Sequence, residues 1–102
     1  MLFMPFSRLT ILEGMDLVAR YPIARLEADR CFCARCGTRL YNHAPARGMV
    51  SIIVATLETD EILRPIAHIN TESKCTWLEI NDGLPQFLAV PGPAEFKELL
   101  SR

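Results

Sequence analysis

The sequence predicts a mainly β protein with one short C-terminal helix, and three observations carry that reading. Met49–Leu57 is a run rich in β-branched side chains, the composition that suits a pleated, buried strand. Elsewhere, short alternating runs are separated by Gly, Pro and Asn/Asp turn signals too closely spaced for helices. Only the tail shows helical spacing. There Pro93 sits near a helix start, Glu95 lies in the first turn, and Phe96, Leu99 and Leu100 share one face.

The elements follow from these signals in order. Arg8–Leu12, the turn at Glu13-Gly14 and Asp16–Tyr21, ended by Pro22, predict a hairpin. Ile23–Glu27 predicts a short extended piece leading into a cysteine cluster. Thr38–Tyr41 resumes the alternation before a polar loop, Asn42–Gly48, that contains Pro45. Met49–Leu57 is too continuously apolar for an exposed edge, so it is expected centrally. Glu58–Glu61 turns the chain. Pro65–Ile69 predicts a further strand, Lys74–Ile80 a short element ending at Asn81-Asp82-Gly83, and Pro93–Leu100 the helix.

The chain has 102 residues, half of them apolar, which is enough for one domain, 1–102, with a modest core that gains from a staple. Its net charge of −1, with both signs interspersed, offers no field that would select nucleic acid or an anionic membrane. No apolar run approaches the roughly 20 residues that span a bilayer, and the opening Met1–Phe6 lacks the basic flank of a signal peptide. A cytoplasmic location is the expectation. In a reducing compartment, clustered cysteines serve more often as metal ligands or redox thiols than as disulfides.

Three of the four cysteines fall within Cys31–Cys36, and the cluster ends in Cys33-Ala34-Arg35-Cys36-Gly37. Two thiolates spaced this way, with a glycine after the second, chelate one tetrahedral ion while the backbone turns beneath it. The expected cofactor is zinc, and Cys33 and Cys36 are half of its ligands. A second Cys-x-x-Cys or His-x-His pair does not occur in the sequence. On a strand, Cys31 would share a face with Cys33 and reach the same ion, so the metal-ligand candidates are Cys31, Cys33 and Cys36. His43 reads as a loop histidine, Cys75 as a small buried hydrophobe and Trp77 as core. His68 fits either a satisfied core position or the lining of a cleft.

Taken together, several segments carry a family resemblance. They are Leu9–Gly14 with Leu17 and Tyr21, Phe32–Leu40, Ala55-Thr56-Leu57, Pro65–Ile69, Ser73–Trp77 and Asp82–Phe87. In this order and spacing they resemble the C-terminal part of the glutathione-dependent formaldehyde-activating enzyme family, over roughly residues 5 to 91. The resemblance implies twisted antiparallel sheets of the Mss4-like type and zinc held by cysteines from separated loops. It matches Cys33 and Cys36 to the family's structural Cys-x-x-Cys. It also implies that this chain lacks the N-terminal segment bearing the family's Cys-x-Cys pair and the Cys-x-Cys-x-x-Cys set at the proposed reaction centre.

Two functional expectations follow. One is a zinc-binding relative of carbon–sulfur lyases that act on adducts of glutathione and an aldehyde, with a small glutathione-type adduct as partner and no catalytic residue assigned in this chain. The other is a non-catalytic domain, zinc-stabilised or metal-free, that forms a homodimer by pairing the sheet edge left open by the missing segment.

Overall fold

The computed structural model describes residues 1–101, which form two compact units, the first ending at Glu61 and the second beginning at Ile62. The first unit is a five-stranded antiparallel sheet. Its strands are β1 (Leu2–Pro5), β2 (Val18–Ile23), β3 (Ala28–Cys33), β4 (Arg39–Ala44) and β5 (Met49–Ile52), in the order β1-β5-β4-β3-β2. The one α-helix among the described residues, α1 (Pro93–Leu100), lies in the second unit with Leu99 buried. The fold is therefore mainly β with a short C-terminal helix, as the sequence predicts.

Two of the hairpin turns are built alike. A 3-10 turn at Ala24–Leu26 closes on Glu27 in the left-handed region (φ 49°), and one at Pro45–Arg47 closes on Gly48 (φ 61°). Pro45 and Gly48 announce the second turn in the sequence. Glu27 hides the first, since a left-handed residue there is usually Gly or Asn. That is why Ile23–Glu27 reads as extended sequence although it forms the β2–β3 turn, with β3 carrying on through the cysteines.

One sheet face holds the core. Register pairs place Leu2 opposite Ile52, Met4 opposite Val50, Tyr41 opposite both Ile52 and Cys31, and His43 opposite Val50. Paired residues share a face, so these side chains form one layer. Cys31, Tyr41, Val50 and Ile52 are its buried centre, and Leu9, Ile11 and Leu57 pack against it. On the opposite face, Asn42 Nδ2 donates to Ser51 Oγ at 3.2 Å and Arg39 Nη2 to Asn42 Oδ1 at 2.6 Å.

The sheet departs from the sequence-based expectation in four places. Arg8–Leu12 forms no strand: Leu9 and Ile11 keep the alternation that directs both onto the core, but the segment joins no ladder. The pairing partner of β2 is β3 instead. The long apolar run stops being a strand at Ile52, where Ile53 donates to Leu40 and the chain enters a 3-10 turn at Val54–Thr56, held by Thr56 Oγ1 on the Ile53 carbonyl at 2.7 Å. β5 is interior, flanked by β1 and β4, and β4 is central. Leu2–Pro5, unmarked by any turn signal, adds an edge strand. Both edges carry a proline, Pro5 in β1 and Pro22 in β2.

In the second unit, Pro65–Ile69 makes only a single parallel bridge, His68 to Gln86. His68 donates its amide to Pro85 and accepts from Phe87, while Thr71 and Glu72 donate to Phe87 and Leu88. Lys74–Ile80 is irregular. Trp77 and Cys75, expected in the core, are both exposed, Trp77 at 79%. Among the described residues, no helix is long and apolar enough to cross a membrane.

The buried layer gives a direct test of the fold. Val50 is 1% exposed at the centre of the cluster, and removing two methyl groups there loses their transfer energy and leaves a cavity. Val50→Ala is expected to lower unfolding stability by roughly 2 kcal/mol in urea titration, whereas an unchanged midpoint would mean the layer is not the core.

Candidate metal centre

The chemistry-bearing turn of the first unit joins β3 to β4. Cys33, the last residue of β3, donates its amide to the Thr38 carbonyl at 2.9 Å, and Gly37 donates back to the Cys33 carbonyl at 2.8 Å. Ala34 donates to Leu17 at 2.8 Å, tying the turn to the start of β2. Gly37 has φ 77°, and a Cβ placed there would meet nothing within 4 Å, so the glycine is required by backbone conformation alone.

The turn also carries the second cysteine. Cys36 is exposed, and its sulfur lies 3.1 Å from Thr38 Oγ1. Hydrogen bonds from the Thr38 hydroxyl, then the Thr38 amide, then the Cys33 thiol hold Cys36 below the ordinary thiol range.

Cys31 has a different environment. It shares the Cys33 face, as the pairing of Arg20 with Cys31 and Val18 with Cys33 shows, but it is fully enclosed in the core. Burial pushes its thiol up, and a hydrogen bond with the Tyr41 side chain opposes that shift only in part. Burial and the neighbouring Cys31 raise the Tyr41 phenol as well. A register shift between Cys31 and Phe32 on the β4 side separates this pair from the turn.

His43 is not in a loop. It lies on β4, nearly buried, with its ring stacked on Phe6 at 4.0 Å and 17°. Four residues of extended chain, about 13 Å, separate it from Arg39 at the turn end of β4. In the second unit, His68 Nε2 lies 2.7 Å from Asp82 Oδ2, while Leu84 donates its amide to Asp82 Oδ1 at 3.0 Å. The histidine is the main cause that holds the Asp82 carboxyl below its usual range. Sequence reasoning missed this partnership, although the Asp82-Gly83 turn was the available signal. Among the described residues, no three His, Cys, Asp or Glu side chains come together in a way that would hold a metal ion. Cys33 and Cys36 could supply two of the four ligands that a structural zinc takes.

Beside the pair, an apolar groove of about 500 Å³ is lined by Leu9, Ile11, Leu17, Leu40 and Leu57, with Cys33 in its wall. Leu12, which also lines it, is 84% exposed.

Sheet and turn together define a mainly β protein organised around a Cys-x-x-Cys-Gly thiol turn. The family model described as "Glutathione-dependent formaldehyde-activating enzyme" matches residues 1–73, and the chain belongs to that family. The match takes in the whole first unit and His68, but not Asp82. Comparison with curated proteins and with solved structures gave no match.

The two thiol environments separate by pH. Cys31 and Tyr41 keep their protons in the folded chain at pH values where the unfolded chain releases them, so their contribution is complete below the unfolded thiol value and is lost as pH rises above about 8.5. Cys36 acts in the opposite sense, but it is exposed and screened. The urea midpoint is expected to fall between pH 8 and pH 10, with the fall reduced in Cys31→Ala. A midpoint that rises over this interval would contradict the buried pair.

Proposed function

We propose that this chain is a zinc-binding member of the glutathione-dependent formaldehyde-activating enzyme family in which Cys33 and Cys36 hold the ion as half of a structural thiolate site. One observation carries the reading: a turn closed by two backbone hydrogen bonds carries both cysteines, and hydrogen bonds from Thr38 lower the thiol of the exposed one. Membership of the family supports it, and a reducing, cytoplasmic setting fits four unpaired cysteines.

The reaction class that goes with the family is carbon–sulfur bond making or breaking on an adduct of glutathione and an aldehyde. Zinc with an open coordination position supplies polarisation of a carbonyl or binding of a thiolate in such chemistry. No residue of this chain is assigned a catalytic role. An open three-thiolate site would need Cys31, which would have to leave the core and give up its bond with Tyr41. The lyase activity thus rests on family membership, and the pair itself supports a structural ion. A non-catalytic, zinc-stabilised binding domain is the second reading, favoured by exposed apolar side chains such as Leu12 and Met15 in the first unit.

Zinc titration in competition with a chromogenic chelator tests the proposal. Zinc uptake is expected to be lost in Cys33→Ser and Cys36→Ser and kept in Cys75→Ser. At free zinc about a hundredfold above Kd, it is expected to add about 2.7 kcal/mol of stability. Uptake that survives loss of both turn cysteines would overturn the reading.

A further inference from the structure

We propose that the sheet face opposite the core binds a phosphomonoester carrying a flat ring, the chemistry of a nucleoside monophosphate, between Arg30 and Arg39. The site shares no residue with the thiol turn and does not depend on metal there. Arg39 lies on an unexpected face. By strand alternation it belongs with Tyr41 and His43, which are turned into the core. The β3–β4 register shifts between Cys31 and Phe32, however, so that Cys31 pairs with Tyr41 but Phe32 pairs with Arg39. At such a bulge two successive residues take one side, and here Leu40 and Tyr41 both join the core cluster. Arg39 is thereby carried to the opposite face, where its Nη2 donates to Asn42 Oδ1 at 2.6 Å. Bulges re-aim side chains in this way next to functional sites.

The re-aimed guanidinium is held in place. Asn42 Nδ2 donates to Ser51 Oγ at 3.2 Å, which fixes the amide whose oxygen accepts from Arg39. Arg30 is the register partner of Asn42 on β3, so both arginines stand on one face, on adjacent strands. Both are exposed and permanently charged. Asp29, the one carboxylate in the five strands, is on the core face, 4.0 Å from Arg20. Among the described residues, neither Arg30 nor Arg39 has an ion-pair partner.

Charge and shape match one ligand chemistry. Two like charges on neighbouring strands without a counter-ion create a local field that an oxyanion relieves. Arg39 uses one N–H on Asn42 and keeps the others for a ligand. A carboxylate is satisfied by a single guanidinium fork, whereas a phosphomonoester carries about −1.5 to −2 charge at pH 7 and enough acceptor oxygens to engage both arginines. Tyr21, 63% exposed, is the register partner of Arg30 on β2, and Phe32 is that of Arg39. Aromatic side chains thus flank both cations and offer a face on which a ring stacks.

The test is titration of the 102-residue chain with adenosine monophosphate, followed by two-dimensional NMR. Saturable shifts are expected at the Asn42 side-chain amide and the Arg39 Nε–H. Arg30→Gln and Arg39→Gln are each expected to weaken binding several-fold while leaving the urea midpoint unchanged, since both side chains are exposed. Inorganic phosphate is expected to shift the same signals more weakly, and adenosine to leave them in place. Absence of saturable binding, equal binding of adenosine, or binding that both substitutions leave intact would overturn the site. Benzoate binding as tightly as the nucleotide would overturn the phosphate assignment in favour of a carboxylate.

Discussion

The hydrogen bond from the Cys33 amide to the Thr38 carbonyl is the constraint on which both the sheet and the candidate site depend. It closes the β3–β4 pairing, and the same closure forces Gly37 into a left-handed conformation and turns Cys36 back toward Cys33. The strands on either side carry Cys31 and Tyr41, the register partners at the centre of the core. A single turn therefore couples buried packing to two cysteines, Cys33 half-buried and Cys36 exposed. Metal bound at such a turn also contributes to folding, because the unfolded chain has no preformed site.

The division of labour between two nearby cysteines follows from burial. Cys31 and Cys33 lie on the same face two residues apart, yet one is sealed beneath the apolar layer while the other lines an open groove. Periodicity assigned the face correctly, but it cannot report depth. The difference arises because Leu9, Ile11 and Leu57 cover the middle of the sheet, while the turn lies beyond its end.

Much of the fold was legible in the sequence, for identifiable reasons. α1 was marked by Pro93, Glu95 and the spacing of its apolar residues, and the thiol turn by Cys33, Cys36 and Gly37. β2 and β4 lie close to their expected places. What escaped was pairing. Arg8–Leu12 has strand alternation without a ladder, Pro65–Ile69 forms only one bridge, and Leu2–Pro5 gains strand character from β5 rather than from its own composition. In the site, the turn that carries Cys33 and Cys36 was legible because it is local. The Cys31–Tyr41, His43–Phe6 and His68–Asp82 contacts were not, because each joins residues that are distant in sequence.

The central claim is that this turn is a zinc-thiolate half-site built on Cys33 and Cys36. X-ray absorption at the zinc edge of the zinc-loaded chain tests it most directly. The account expects sulfur neighbours at about 2.3 Å, the distance ordinary for zinc thiolates, that are lost in Cys33→Ser and Cys36→Ser. A shell of nitrogen and oxygen neighbours without sulfur would contradict it.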